Sequence, residues 1–145
     1  MKKPELLVPA GNLEKLRTAI LYGADAVYTG VEGLSLRAQQ AEFTMAELEE
    51  GVRVAHQQGV KVYAAINISA WNSDLEQVSA KTGELAEIGV DGVILSDPGV
   101  LALVRRVAPT MPVHLSTQAN TTNTEAVRFW HAQGVSRIEI GRAHV

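Results

Sequence analysis

A chain of 145 residues, 46% hydrophobic and 20% charged, is long enough for one packed domain and too apolar to be disordered over most of its length. A formal net charge of -3 and a pI near 5.8 exclude a surface basic throughout, as a general binder of nucleic acid or anionic membrane would need, although a local basic groove stays open. The absence of cysteine excludes disulfides, thiolate zinc sites, a cysteine nucleophile and a cysteine-ligated iron–sulfur cluster within this chain.

The N-terminal MKKPELLVPAGN carries only Leu6 to Pro9 as an apolar run, too short for a signal-peptide core. No apolar run approaches the about 18 residues of a membrane span. A cytoplasmic protein with no membrane partner is expected. PELLVPAG predicts a strand at residues 5–8, after which Asn12 caps the helix LEKLRTAILYG, with Leu13, Leu16, Ile20 and Leu21 on one face and Gly23 at its end. ADAVYTG is the next strand, and GLSLRAQQAEF, residues 33–43, reads as a long strand-end loop.

FTMAELEEGVRVAHQQG places Thr44 at an N-cap with Glu47 three residues on, the capping-box spacing, and stops at Gly59 before the strand VKVYAAINI. Trp71 lies in a second long loop. SDLEQVSAKTGELAEIG ends at Gly89 before DGVILSD, the short helix GVLALVRRVAP leads to MPVHLS, and NTEAVRFWHAQG ends at Gly134 before SRIEI. Helix, glycine, buried strand is thus repeated at Gly23, Gly59, Gly89 and Gly134.

Near-continuous apolar strands alternating with helices belong to a parallel sheet covered by helices. Two α/β architectures fit, an open doubly wound sheet or part of a TIM barrel. The doubly wound fold calls for a glycine-rich loop after the first strand, and VPAGN holds one glycine. A barrel takes roughly 250 residues, so about six βα units in residues 1–140 predict an incomplete TIM-barrel-like (β/α) domain, with residues 141–145 as a tail. Its open edges and apolar interior predict a homo-oligomer that covers them, or a longer protein of which this chain is a piece.

In either architecture ligands bind at the carboxyl ends of the strands. There the chain places Asn67, Ser96, Asp97, Ser116, Gln118, Asn120 and finally Arg142. The stretch VHLSTQANTTN is notable for uncharged hydroxyls and amides without Gly, Pro, Lys or Asp. Such groups suit recognition of a neutral polar edge, that of a base, amide or sugar; they also suit the satisfaction of irregular backbone and a cap by Asn123 or Thr122. Asp97 in SDPG could be a general acid or base, or an N-cap followed by proline at the first helical position. Arg37 could clamp a phosphate or carboxylate, or pair with Glu42.

Ser96, Asp97, His114 and Ser116 supply the residue types of a hydrolytic triad, yet there is no nucleophile elbow, and an interior hydrogen-bonded histidine explains His114 as well. His56, His131 and His144 show no metal-ligand spacing, so no metal site is expected.

Taken in order, PELLVPAGNLEKLRTAILYGADAVYTG, SLRAQQAEFT, VYAAINI, ILSDPGVL, HLSTQANTTN and VRFW resemble the collagenase-like peptidase family of unclassified catalytic type, over residues 4–140. The resemblance implies a TIM-barrel-like domain of a bacterial cytoplasmic protein. Some members carry a collagenase-like peptidase label. Others act in oxygen-independent hydroxylation of the tRNA wobble uridine, ribosomal RNA or ubiquinone precursors, with prephenate as oxygen source, and bind an iron–sulfur cluster through cysteines beyond the region matched here. The SLR, ILSDPG and HLSTQAN blocks are most similar to the tRNA-hydroxylating branch.

Where the family continues with Arg-Glu-Leu, this chain has Arg142-Ala143-His144-Val145 and stops. A truncated piece with a non-native tail, inactive alone and holding no cofactor itself, is therefore expected. The leading expectation is a part of an RNA-hydroxylating protein with tRNA or ribosomal RNA as partner, in which Asp97, Gln118 and Asn120 line the pocket and Arg37 and Arg142 meet anions. Its rivals are a peptidase acting on peptide substrates and a non-catalytic binding module.

Overall fold

The computed structural model describes residues 3–35 and 42–141. Five helices alternate with strands of one parallel sheet. Strand β1 (Leu7–Pro9) is followed by helix α1 (Leu13–Leu21) and β2 (Ala26–Val31); a two-residue strand β3 (Glu42–Phe43) precedes α2 (Met45–Gln57) and β4 (Lys61–Ala65). Then come α3 (Leu75–Ile88), β5 (Gly92–Leu95), α4 (Pro98–Val107), β6 (Val113–Leu115), α5 (Thr124–Ala132) and β7 (Arg137–Ile138). The order in the sheet is β1-β2-β4-β5-β6-β7, every pairing parallel, with β3 added to β2. The result is a curled, unclosed barrel segment.

The predicted helix starts are built as read. Asn12 accepts the Lys15 amide at 2.8 Å, Thr44 and Glu47 form the reciprocal box, and Asn123 accepts the Ala126 amide at 2.9 Å. Gly89, in the left-handed region at φ 84°, ends α3 and turns the chain into β5.

Strand alternation sends Val27, Val62, Val93, Leu95, Val113 and Leu115 outward into the core beneath the helices, where Leu16, Leu48, Leu85 and Val104 are fully buried. The opposite, concave face carries Ala26, Tyr63 and Ile94, with Leu7 and Tyr28 packed against them. Small residues there make room for large ones. At Gly92 a Cβ would come within 3.0 Å of the Pro112 carbonyl oxygen and 3.4 Å of the Tyr63 ring.

Candidate functional site

Register decides which polar residues share the concave face. Gly30, Ala65, Ile94, His114 and Arg137 are laterally paired across β2, β4, β5, β6 and β7. Two residues further along their strands, Asn67, Ser96, Ser116 and Glu139 form the next row, at the carboxyl ends. A cavity of about 240 Å³ opens at this end, lined by the chain turning out of β1 at Pro9 and Gly11, by Tyr28, Ser35 and Asn67, and by Ser116, Gln118 and Glu139.

The predicted site residues separate on this frame. Asn67, Ser116 and Gln118 line the cavity. Ser96 stands beside it and donates from Oγ to Gln118 Oε1 at 3.4 Å. Ser116 Oγ accepts the Gln118 amide at 3.3 Å and starts a 3-10 turn over Thr117–Ala119, a structure hidden in the loop-like sequence. Asn120 ends that turn in the left-handed region, φ 51° and ψ 44°, a conformation Asn adopts more readily than other L residues. It is outside the cavity lining. Asp97 accepts the amides of Gly99 at 2.6 Å and Val100 at 3.0 Å, with Pro98 opening α4, so its carboxylate serves as the helix cap. Arg37 and Arg142 lie outside the described residues.

Tyr28, within the strand read from ADAVYTG, also lines the cavity, and so do Ser35 and Glu139, which the sequence does not single out. Glu139 is the important omission. Half-buried, with Oε1 shielded and unpartnered, its carboxyl is raised above the usual range by burial, which the neighbouring Arg137 charge only partly opposes. The signal available was the alternation Arg137-Ile138-Glu139, which puts both charged residues on one face.

Below the cavity the same face is closed by a cluster. Arg137 donates to Glu5 at 2.6 Å, and its guanidinium carbon lies 5.4 Å from the Tyr63 ring centroid. The Tyr63 hydroxyl donates to Glu5 at 3.2 Å, and the His114 ring meets Tyr63 edge-on at 4.5 Å between centroids. The Arg137 hydrogen bond holds the Glu5 carboxyl low; burial, reinforced by the Arg137 charge, pushes His114 down to about 4. His114 is therefore neutral near pH 7.

Among the described residues no hydrolytic relay is assembled. Asp97 is engaged by amides of α4, Ser96 by Gln118, and His114 Nδ1 is buried without a hydrogen-bond partner. His56, on α2, instead meets Asp91 at 2.8 Å, whose carboxylate also accepts the Val62 amide. An iron–sulfur cluster does not fit the donors present: the chain has no cysteine, and among the described residues no three His, Asp or Glu side chains converge as metal ligands would.

The description "Peptidase family U32" matches residues 11–143. The chain belongs to this family. It is 45% identical over 141 residues to tRNA hydroxylation protein P1 of Bacillus subtilis (strain 168), covering 97% of this chain and 33% of that protein. With tRNA hydroxylation protein P of Escherichia coli (strain K12) the identity is 44%, over 98% of this chain and 31% of the relative. A collagenase of Porphyromonas gingivalis (strain ATCC BAA-308 / W83) is 34% identical over 87% of this chain and 30% of its own length. The chain thus spans about a third of the curated relatives it matches.

Among solved structures, the U32 peptidase Mk0906 superposes with a TM-score of 0.74 at 19% identity, over 95% of this chain and 60% of that one. The tetrameric deoxyribose phosphate aldolase from Aeropyrum pernix gives 0.72, also at 19%, over 92% and 62%. These likenesses establish the U32 and aldolase-type barrel fold.

Proposed function

We propose that this U32 chain is the pocket-bearing barrel segment of a protein that takes part in tRNA hydroxylation in the cytoplasm. The observation that carries the reading is the 43–46% identity, over 97–98% of the chain, to five proteins named for tRNA hydroxylation, with 34% to a sixth, beside 41% to an uncharacterized protease of Methanocaldococcus jannaschii and 34% to the collagenase, each over 87% of the chain. The site chemistry agrees with it. The cavity presents hydroxyls, amides and one carboxyl that burial raises from its ordinary value, groups that can hydrogen-bond the edge of a base.

The segment supplies recognition surface, and a cluster carried elsewhere in the longer protein would supply redox chemistry. Ser116 and Gln118 orient the ligand edge; the neutral His114 and the Glu5–Arg137–Tyr63 cluster keep the pocket floor closed. The unpaired edges at β1 and β7 would be covered by further strands of that protein or by a second copy.

A peptidase reading draws on the family and the collagenase relative, but Asp97 caps α4, Ser96 and Ser116 are hydrogen-bonded to Gln118, and His114 Nδ1 has no hydrogen-bond partner, so among the described residues no serine paired with an oriented base is offered to it. Nucleoside mass spectrometry of tRNA from a strain lacking the full-length gene, beside its parent, decides between them. Loss of a hydroxylated nucleoside is expected, and an unchanged profile refutes the tRNA reading.

A further inference from the structure

Apart from the Tyr28 phenol, Glu139 is the one ionisable group among the described residues that line the cavity. Its amide is fixed to the Leu115 carbonyl at 2.9 Å, while its carboxyl Oε1 is shielded and has no hydrogen-bond partner. Arg137 stands two residues earlier on the same face. Its guanidinium, however, is committed to Glu5 at 2.6 Å and 3.5 Å and to the Tyr63 ring. An acid anchored by its backbone, on the wall of a cavity and without an ion pair is placed to meet a ligand.

We propose that Glu139 is a substrate-contacting residue, whose carboxyl hydrogen-bonds the edge of an unpaired nucleobase held in the cavity. The inference rests on the tRNA reading above and deepens it. A protonated carboxyl offers one donor and one acceptor side by side, which complements the adjacent carbonyl and N–H of a base edge. A carboxylate would set negative charge against the same carbonyl. Burial, raising the carboxyl, favours the protonated form. Ser116, Gln118 and Asn67 add uncharged partners, and Tyr28 and Ile94 add apolar surface. The volume, about 240 Å³, lies below the ~300–1,000 Å³ of drug-sized pockets and suits one ring system. An enzyme acting on a base must withdraw that base from its stack, so a pocket for one base is the expected form.

Among the described residues, the charged and titratable groups of this face are Arg137 on β7, Glu5 ahead of β1, His114 on β6, Tyr63 and Lys61 on β4 and Tyr28 on β2. Glu5 and Arg137 neutralise each other, and His114, with its pKa near 4, stays uncharged over the range that matters.

The test is binding of a fluorescent stem-loop RNA with uridine in its loop to the full-length protein, at fixed salt from about pH 5 to 8. Wild-type affinity should fall by up to about tenfold per pH unit once the Glu139 carboxyl ionises. In Glu139→Gln, which keeps a donor at all pH values, that component of the profile should vanish with tight binding retained. Glu139→Leu should bind about tenfold more weakly throughout the acidic range. A Glu139→Gln profile as steep as the wild type, a wild-type profile as flat as the Gln variant's, or a Leu variant that binds normally overturns the role of Glu139 and leaves the tRNA reading standing. If the wild type binds no RNA at any pH and deletion of the gene leaves tRNA nucleosides unchanged, the tRNA reading falls first and this inference with it.

Discussion

Arg137 on β7 donates to the carboxylate of Glu5, 132 positions earlier, at 2.6 Å, and so ties the two ends of the curled sheet across its concave face. The pair is partly shielded and shares Tyr63 with His114, which makes it more than a surface ion pair. A double-mutant cycle with Glu5→Gln and Arg137→Met should return a coupling of about 1 kcal/mol in urea unfolding. Glu5 has a depressed folded pKa, so its contribution is complete above the carboxylate's unfolded value and disappears as pH falls through the lower folded value. Coupling that persists unchanged in strong acid would contradict this assignment.

His114 adds an acid-sensitive element of its own. Its folded pKa, about 4, lies below the unfolded value near 6.5, so folding releases any proton that the unfolded chain binds. The stability associated with the neutral ring is present above about pH 6.5 and is lost progressively down to pH 4. His114→Leu should flatten this limb, by on the order of 2 kcal/mol after allowance for water reaching the open face. Urea midpoints measured at neutral pH and near pH 4.5 check it, and an NMR titration of His114 with a midpoint near 6.5 would show the ring to be more solvated than its burial implies.

Asp97 carries a different expectation, because its carboxylate receives two amides at the start of α4. Asp97→Asn retains a side-chain acceptor and should leave stability and tRNA hydroxylation close to wild type. Asp97→Ala should cost about 1 kcal/mol of stability through loss of the cap. Thermal denaturation and tRNA nucleoside content in a complemented deletion strain separate the roles: hydroxylation abolished by Asp97→Asn at normal stability would identify a chemical function for the carboxylate.

What the sequence revealed and what it concealed follow from the range of the interactions. Asn12, Thr44, Asp97 and Asn123 cap helices through amides two or three residues away, so each was legible in its own neighbourhood. The strand positions followed from glycine after helix and apolar run after glycine, although the strands proved shorter than the runs. Strand β3 was hidden because two residues establish no period. The row Asn67, Ser96, Ser116, Glu139 depends on lateral register between four strands, information that no local pattern contains. Glu139 was passed over for that reason: within SRIEI it reads as an ordinary surface charge, and only the curl of the sheet turns it into the cavity.

The polar run after β6 yields the sharpest comparison, between Gln118 and Asn120. Gln118 lines the cavity and meets Ser96, whereas Asn120 is set in a left-handed turn outside the lining. Asn120→Gly keeps the backbone conformation accessible and should preserve hydroxylation, while Asn120→Ala should lose about 1 kcal/mol to strain without a specific effect on chemistry. Gln118→Ala removes both hydrogen-bonding ends of an amide and, if that amide orients the base, should lower hydroxylation by about tenfold at unchanged thermal stability. Both are read in the complemented strain by the ratio of hydroxylated to unmodified nucleoside. A loss with Asn120→Gly as large as that with Gln118→Ala would mean that the whole segment, and not Gln118 alone, serves the proposed reaction.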